Sequence, residues 1–327
     1  MEDFKIIEEV LQEDMDDPSL QFEKLVQGGI VNKAALFSSD KNPDKYFIKL
    51  NKHSVAKEMF EAEKSSLDFL NQIEIIDAPK SYKVIDIRDC ENGSAVHVLQ
   101  YIPDLQPMAD YWADFGEKMA RIHSFNSTLK DDVKRKESFV HSSPQQLNYV
   151  DKFGSTFPRY FGEFRVAPVQ TDTWEEYFIR EIMDPLMRGI EKKYGDRDLI
   201  SEWSWLQLNI YKLFQDVTIL PEIIHSDLCV ANFGQTQNGP VLFDPSLNYA
   251  HFEMDLLLSA TEDPFHDDFF TSYHQILPQL EGWEKRLEAY KFFYNVIMWY
   301  HIDEEQYKTS SYSSAEKVTD IIKQMGT

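Results

Sequence analysis

The stretch His225-Ser226-Asp227-Leu228-Cys229-Val230-Ala231-Asn232 is followed, twelve residues beyond the Asn, by Asp244 in Phe243-Asp244-Pro245. These oxygen-bearing side chains stand at a spacing that can do chemistry. Phosphoryl transfer from ATP needs a carboxylate to orient and deprotonate the acceptor hydroxyl. It also needs oxygen ligands that hold Mg²⁺ against the phosphates. Asp227 suits the first task, and Asn232 with Asp244 suits the second.

The residues in between give the spacing a mechanism. Asn238-Gly239 is a hairpin-turn signal, and Val241-Leu242-Phe243 is a short buried-strand signal. Folding the hairpin about residues 237 and 238 sets residue 232 opposite residue 243. Asn232 and Asp244 then lie about 5 Å apart in backbone terms, two hard ligands able to share a cation. The pattern H-x-D-L-x-x-x-N is also that of protein-kinase catalytic loops.

The elements that must position these residues follow a two-part order. Residues 2–13 alternate acidic and apolar positions at helical spacing. From Phe22 to Tyr101 short strands and turns dominate: Leu25-Val26, the turn Gln27-Gly28-Gly29, the return strand Ala34–Phe37, and the strand Tyr46–Leu50. A helix is expected over 54–71, with Phe60, Leu67 and Leu70 on its apolar side, then strands Tyr82–Ile87 and Ala95–Tyr101. A glycine turn, a Lys-bearing strand, a Glu-bearing helix and further strands make up a kinase amino-terminal lobe. After Pro103 the pattern becomes helical. Trp112, Phe115, Met119 and Ile122 share one face, and helices are expected over 174–193, 199–214, 253–261, 284–301 and 313–324. Residues 127–172 read as irregular, with a long loop around Ser142-Ser143-Pro144.

Composition narrows the class. At 327 residues, with 43% hydrophobic and 14% aromatic content, the chain can bury one large core or two modest ones. Against 56 acidic residues stand 33 basic ones, a net charge of −23, which excludes a general binder of nucleic acid or anionic membrane. A nucleotide site must therefore be a local positive pocket, and a cationic acceptor such as an amine is favoured. Only Cys90 and Cys229 are present, which points to a reducing cytosol. No signal-peptide pattern and no apolar run of membrane-spanning length stands out.

Lys49 ends a strand, and Glu63 lies fourteen residues on in the following helix, the arrangement in which a strand Lys contacts ATP phosphates and a helix Glu holds it. Glu61 is the alternative partner, but Glu63 shares a face with Leu67 and Leu70. Gly28 and Gly29 can bring backbone amides to a phosphate, although a plain turn explains them equally. Asp114-Phe115-Gly116 spells a kinase metal motif, but Phe115 belongs to an apolar helix stripe and the triplet is read as a decoy. His123 is read as a packed or capping histidine, and His266-Asp267-Asp268 as a solvated helix start.

Taken together, the chain resembles the fructosamine-3-kinase (ketosamine-3-kinase) family, relatives of the aminoglycoside phosphotransferases. The likeness runs through Tyr46–Leu50, Phe60-Glu61-Ala62-Glu63, Lys118–His123, Tyr149–Gly154, Trp174, and Phe243-Asp244-Pro245 continuing to Tyr249–Asp255. It implies ATP-dependent phosphorylation of the sugar 3-hydroxyl of ketoamines, whose unstable product frees the amine. By the family pattern Asp227 is the base, and Asn232 and Asp244 are Mg²⁺ ligands. Lys49 and Glu63 position the phosphates, and Gln100-Tyr101-Ile102 is the hinge that bonds adenine. Two departures stand out. Where the family reads H-G-D-L-W-S-G-N, this chain has Ser226, Cys229, Val230 and Ala231, so the Trp expected to face the sugar is missing. Gly29 stands where many members carry Cys, so no redox switch through that loop is carried over.

The expectation is thus an α+β, two-lobed protein-kinase-like fold. A small β-rich nucleotide-binding lobe covers residues 1–102, and a larger, mainly helical catalytic and acceptor lobe covers 103–327. The chain is read as a cytoplasmic, monomeric ketosamine kinase using ATP and Mg²⁺, acting on a small or protein-bound ketoamine, with no nucleic-acid or membrane partner. A kinase of another hydroxylated amine (an aminoglycoside or amino alcohol) and a nucleotide-binding pseudokinase are the alternatives.

Overall fold

The computed structural model describes residues 2–26, 32–89, 94–136, 147–258 and 265–326. Its architecture is mixed α+β, in two compact units. One comprises Met1–Tyr111 with Val230–Ser246, the other Trp112–Cys229 with Leu247–Thr327. The division falls at 111/112 rather than 102/103, and the first unit takes in the hairpin. Hydrogen bonds explain both differences. Gln106 and Gln235 exchange backbone bonds of 2.9 and 2.8 Å, and the Gln235 side chain accepts from the N–H groups of Ala109 and Asp110.

The first unit is built on five antiparallel strands: β1 (Gln21–Val26), β2 (Lys33–Ser38), β3 (Tyr46–Asn51), β4 (Ser81–Asp86) and β5 (Ala95–Gln100). Their order is β1-β2-β3-β5-β4. The expected N-terminal helix is two, α1 (Glu2–Ile6) and α2 (Glu8–Asp14), and α3 (Ala56–Ile73) joins β3 to β4. Side-chain alternation along a strand assigns the two faces. Ile48, Leu50, Val96 and Val98 pack with Phe4, Ile7 and Leu11 of the two short helices. Lys49 and His97 are thereby turned to the other face, where Phe60 of α3 packs against the His97 ring at 5.4 Å. Each such fully buried Phe contributes about 1.5–3 kcal/mol. The turn carrying Gly28 and Gly29 lies outside the described residues.

The hairpin strands Phe233–Thr236 and Gly239–Leu242 pair in the register read from the sequence, with Thr236 opposite Gly239 and Phe233 opposite Leu242. Its second strand is also held from the far side, where Leu242 N–H donates to Asp77 C=O at 2.9 Å.

The second unit is mainly helical. Helix α4 (Trp112–His123) buries Phe115, Met119 and Ile122, the expected stripe. At Gly116 it meets the helix Asp267–Ile276 so closely that a Cβ would stand 2.2 Å from the Phe269 carbonyl oxygen. Asp114 pairs with Lys118 at 2.8 Å, so Asp114-Phe115-Gly116 is a helix-packing contact. Helix α5 (Phe125–Lys136) and short strands within 153–171 occupy the region read as irregular. The Ser142-Ser143-Pro144 loop lies outside the described residues. The helix expected over 174–193 runs from Trp174, capped by Thr173, to Tyr194, with a π-helical stretch Tyr177–Met183 in its middle. The helix expected over 199–214 is shorter, Arg197–Leu206 with a 3₁₀ turn Ile210–Leu213. The helix near 253–261 is a 3₁₀ turn at Phe252–Met254, with residues 259–264 outside the description. Two long helices, Trp283–His301 and Glu305–Met325, close the chain.

Candidate active site

The residues singled out from sequence fall in both units, and each group has its own construction.

In the first unit, Lys49 is 5% exposed, which for a lysine requires paired charge. Its ammonium donates to Glu63 Oε1 at 2.7 Å and also forms an ion pair with Asp244. Glu63 of α3 is the partner, and Glu61 is exposed. Burial alone would lower the Lys49 pKa. Asp244 and Glu63 outweigh it, so the ammonium is held above the ordinary lysine value. Burial likewise pushes Glu63 up, but Lys49 and His97 pull harder and keep its carboxyl below the usual range.

Asn232 and Asp244 sit at the open end of the hairpin. Phe243 N–H donates to Asn232 C=O at 3.0 Å, which fixes the two ends together. Asp244 adopts a left-handed backbone, φ +57°, uncommon for a non-glycine residue. Asn232 is buried and Asp244 partly exposed. A cationic group already rests on Asp244, and the donors are a carboxylate and an amide oxygen. That set fits Mg²⁺, which takes few protein oxygens and completes its shell with phosphates and water. Among the described residues no cluster of three His, Cys, Asp or Glu side chains could hold a metal by itself. Gln100 ends β5, and its N–H donates to Lys80 C=O at 2.8 Å. Tyr101 and Ile102 follow, both half-buried.

In the second unit, Asp227 is exposed and follows the strand Glu222–Ile224. Its N–H donates to Nδ1 of the fully buried His225 at 3.3 Å. Behind the loop stands Asp255, 3% exposed, which accepts from the N–H groups of both His225 and Ser226, the latter at 2.7 Å. His123 Nε2 donates to Asp255 Oδ2 at 3.2 Å, and its Nδ1 accepts from the Tyr273 hydroxyl at 2.8 Å. The packed histidine expected at the end of α4 thus also steadies the carboxylate that fixes the loop. Ser226 has φ +72°, the left-handed region where glycine is at ease.

Sequence reasoning missed two contributors. Asp255 was visible only as part of a resembling stretch, with no role attached. His97 carried no signal at all, because its partner is set by strand pairing.

The fold is that of the aminoglycoside phosphotransferase-like kinases. The aminoglycoside phosphotransferase APH(4)-Ia superposes with a TM-score of 0.57 at 12% identity, covering 98% of both chains. A candidate fructosamine-3-kinase from Haemophilus somnus 129PT superposes with a TM-score of 0.74 at 20% identity, covering 96% of this chain and 97% of that one. In sequence, the chain is 30% identical to a ketosamine-3-kinase of Mus musculus, over 84% of this chain and 87% of that protein. It is 25% identical to a chloroplastic protein-ribulosamine 3-kinase of Arabidopsis thaliana, over 91% and 82%. The fructosamine kinase family model matches residues 3–322, and the chain belongs to that family.

Proposed function

We propose that this chain transfers a phosphoryl group from ATP to the sugar 3-hydroxyl of ketoamines, the step that leads to release of a glycated amine. The observation that carries the reading is a family match over residues 3–322 that contains an intact Lys49–Glu63–Asp244 cluster. When bound, MgATP supplies the phosphoryl group, and Mg²⁺ offsets the charge of its phosphates. Lys49 would hold a phosphate oxygen, with Glu63 keeping the ammonium in place. Asn232 and Asp244 would hold Mg²⁺, and Gly28, Gly29 and the 100–102 segment would contact the nucleotide. Asp227 would orient the acceptor hydroxyl and take its proton as the oxygen attacks phosphorus. Its exposure, with both preceding N–H groups secured by Asp255, supports that role.

Among the described residues no helix is long and apolar enough to cross a membrane. The reading includes a cytoplasmic location, for which the two-cysteine content is the support. Phosphate transfer from MgATP to fructosyl-, ribulosyl- and erythrulosyl-lysine tests it, with aminoglycosides and amino alcohols as competitors. Transfer to a ketoamine with a 3-phosphate product is the expected result. Transfer to aminoglycosides or amino alcohols alone would replace it with the second reading, and nucleotide binding without turnover would indicate a pseudokinase.

A further inference from the structure

His97 lies directly across from Lys49, on the neighbouring strand β5. Cross-strand partners project to the same face of a sheet, about 5 Å apart. Both side chains therefore meet the helix that crosses that face. Glu63 of α3 receives them on separate oxygens: Lys49 on Oε1 at 2.7 Å, His97 Nδ1 on Oε2 at 3.3 Å. On the other side of the ring, Nε2 lies 2.8 Å from Ser81 Oγ on β4. His97 is completely buried, and Phe60, one turn before Glu63, packs on its ring.

The hydrogen-bond roles follow from this geometry. A carboxylate only accepts, so the nitrogen facing Glu63 must carry a proton. On the far side of the ring, Nε2 meets the Ser81 hydroxyl, which can donate to it or accept from it. Ser81 thus holds the ring, the ring Nδ1–H holds the second oxygen of Glu63, and the first oxygen holds Lys49.

We propose that His97 is a positioning residue for nucleotide binding, one that locks the Glu63 carboxylate through the relay Ser81–His97–Glu63–Lys49. A glutamate held on one oxygen can swing about its side-chain torsions, and one held on both cannot. The relay comes from three adjacent strands and one helix of a single unit, so it stands ready before nucleotide arrives. The inference rests on the reading of Lys49 as the phosphate-binding lysine.

The test measures MgATP affinity by calorimetry, alongside melting temperature, for His97→Leu, His97→Gln and His97→Asn. Each is made alone and with Glu63→Gln. Asn places its amide nitrogen where Nδ1 stands, whereas Gln reaches the position of Nε2. His97→Leu and His97→Gln should weaken MgATP about tenfold, and His97→Asn should stay within about threefold. In the Glu63→Gln background, His97→Leu should add less than about twofold, because the residue through which it acts is gone. A merely structural role predicts full multiplication of the two effects, and that outcome overturns the proposal. So does a folded His97→Leu with wild-type affinity. If the Leu variant fails to fold, the Asn and Gln pair decides, and equal affinities for the two overturn it. Lys49→Met separates the two levels of inference. Loss of MgATP affinity there, with none in the His97 variants, removes His97 alone. Retained affinity in Lys49→Met removes the lysine reading and the relay with it.

Discussion

Lys49 and Asp244 are 195 residues apart in the chain and joined by an ion pair. The carboxylate expected to take Mg²⁺ is thus already neutralised by the ammonium expected to take phosphate. The ion pair keeps the buried ammonium from being an uncompensated charge. Metal and phosphate together can replace that contact, since each supplies the charge the other partner loses. Asp244→Asn should therefore lower MgATP affinity and reduce turnover by about a hundredfold or more, with raised Mg²⁺ restoring part of both. Asp114→Asn should change stability only. Turnover measured at two Mg²⁺ concentrations distinguishes them, and metal sensitivity at Asp114 would refute the hairpin assignment.

Asp227 should separate chemistry from binding. Asp227→Ala removes the group proposed to orient and deprotonate the acceptor, and leaves Lys49, Glu63 and Asp244 themselves unchanged. The expected outcome is a loss of about two or more orders of magnitude in kcat, with MgATP affinity within a few-fold of wild type. Near-wild-type turnover in a rapid-quench assay would exclude Asp227 as the base.

Much of this was legible because the decisive signals are local. Asn238-Gly239 set the hairpin turn, the turn set the register, and the register brought Asn232 to the residue beside Asp244. The α4 stripe and the strand Tyr46–Asn51 were similarly readable from periodicity. What escaped depends on long-range pairing. Nothing near His97 in sequence announces Lys49 or Glu63, which the ladder and α3 deliver from 48 and 34 residues away. The π-helical stretch at Tyr177–Met183 keeps helical hydrophobicity while changing the bonding, so periodicity could not reveal it. Residues 105–111 joined the first unit through Gln235, whose side-chain bonds have no signature in composition.

Glu222 should give the protein a neutral-range pH dependence. It is 4% exposed, and its carboxyl is pushed up from 4.5 to about 7 by burial, despite a bond from Ser127 N–H. An acid with a raised folded pKa binds more protons folded than unfolded between those two values. The Glu222 contribution to stability therefore falls as pH rises through that window and levels off above about 7, while the buried His251 and the half-buried His301, held below the ordinary histidine value, contribute in the opposite sense. The loss is on the order of 3 kcal/mol. Glu63 acts in the opposite sense, but its window lies below the ordinary glutamate pKa. Glu222→Gln keeps an acceptor for Ser127 and should flatten the slope in denaturant titrations between pH 5 and about 7.5. An unchanged slope would show that the proton uptake belongs elsewhere.

Ser226 stands where the family pattern has Gly, and the backbone records the cost. A left-handed non-glycine residue costs about 1–2 kcal/mol. Its Oγ is also buried with no hydrogen-bond partner among the described residues, about 1 kcal/mol more. Glycine returns about 0.5–1 kcal/mol to the unfolded chain, less than the strain it relieves. Ser226→Gly should thus stabilise the protein by about 1 kcal/mol, read as a rise of about 2 °C in melting temperature. A fall instead would mean that the serine hydroxyl has a role in the folded loop.

Cys229 is expected to set what the acceptor pocket favours. It is half-buried, two residues beyond Asp227, and its N–H donates to the Asp227 carbonyl at 2.9 Å. Its side chain is therefore tied to the same turn as the base. The family pattern has Trp there, a broad apolar platform for the C–H face of a sugar, and a thiol offers far less area. The missing contact is worth about 1–2 kcal/mol, or about tenfold in kcat/KM. Wild type should therefore turn over small free fructosamines weakly and do better on ribulosamine or erythrulosamine adducts, whose shorter chains need less platform. Cys229→Trp should raise kcat/KM for fructosamine about tenfold while leaving MgATP affinity unchanged. Alkylating Cys229 with a bulky thiol reagent should block the acceptor but not the nucleotide, an effect that Cys229→Ser should abolish. Efficient use of fructosyl-lysine by wild type, lost in Cys229→Trp, would mean that the sugar packs on a different surface and that the thiol marks room the pocket requires.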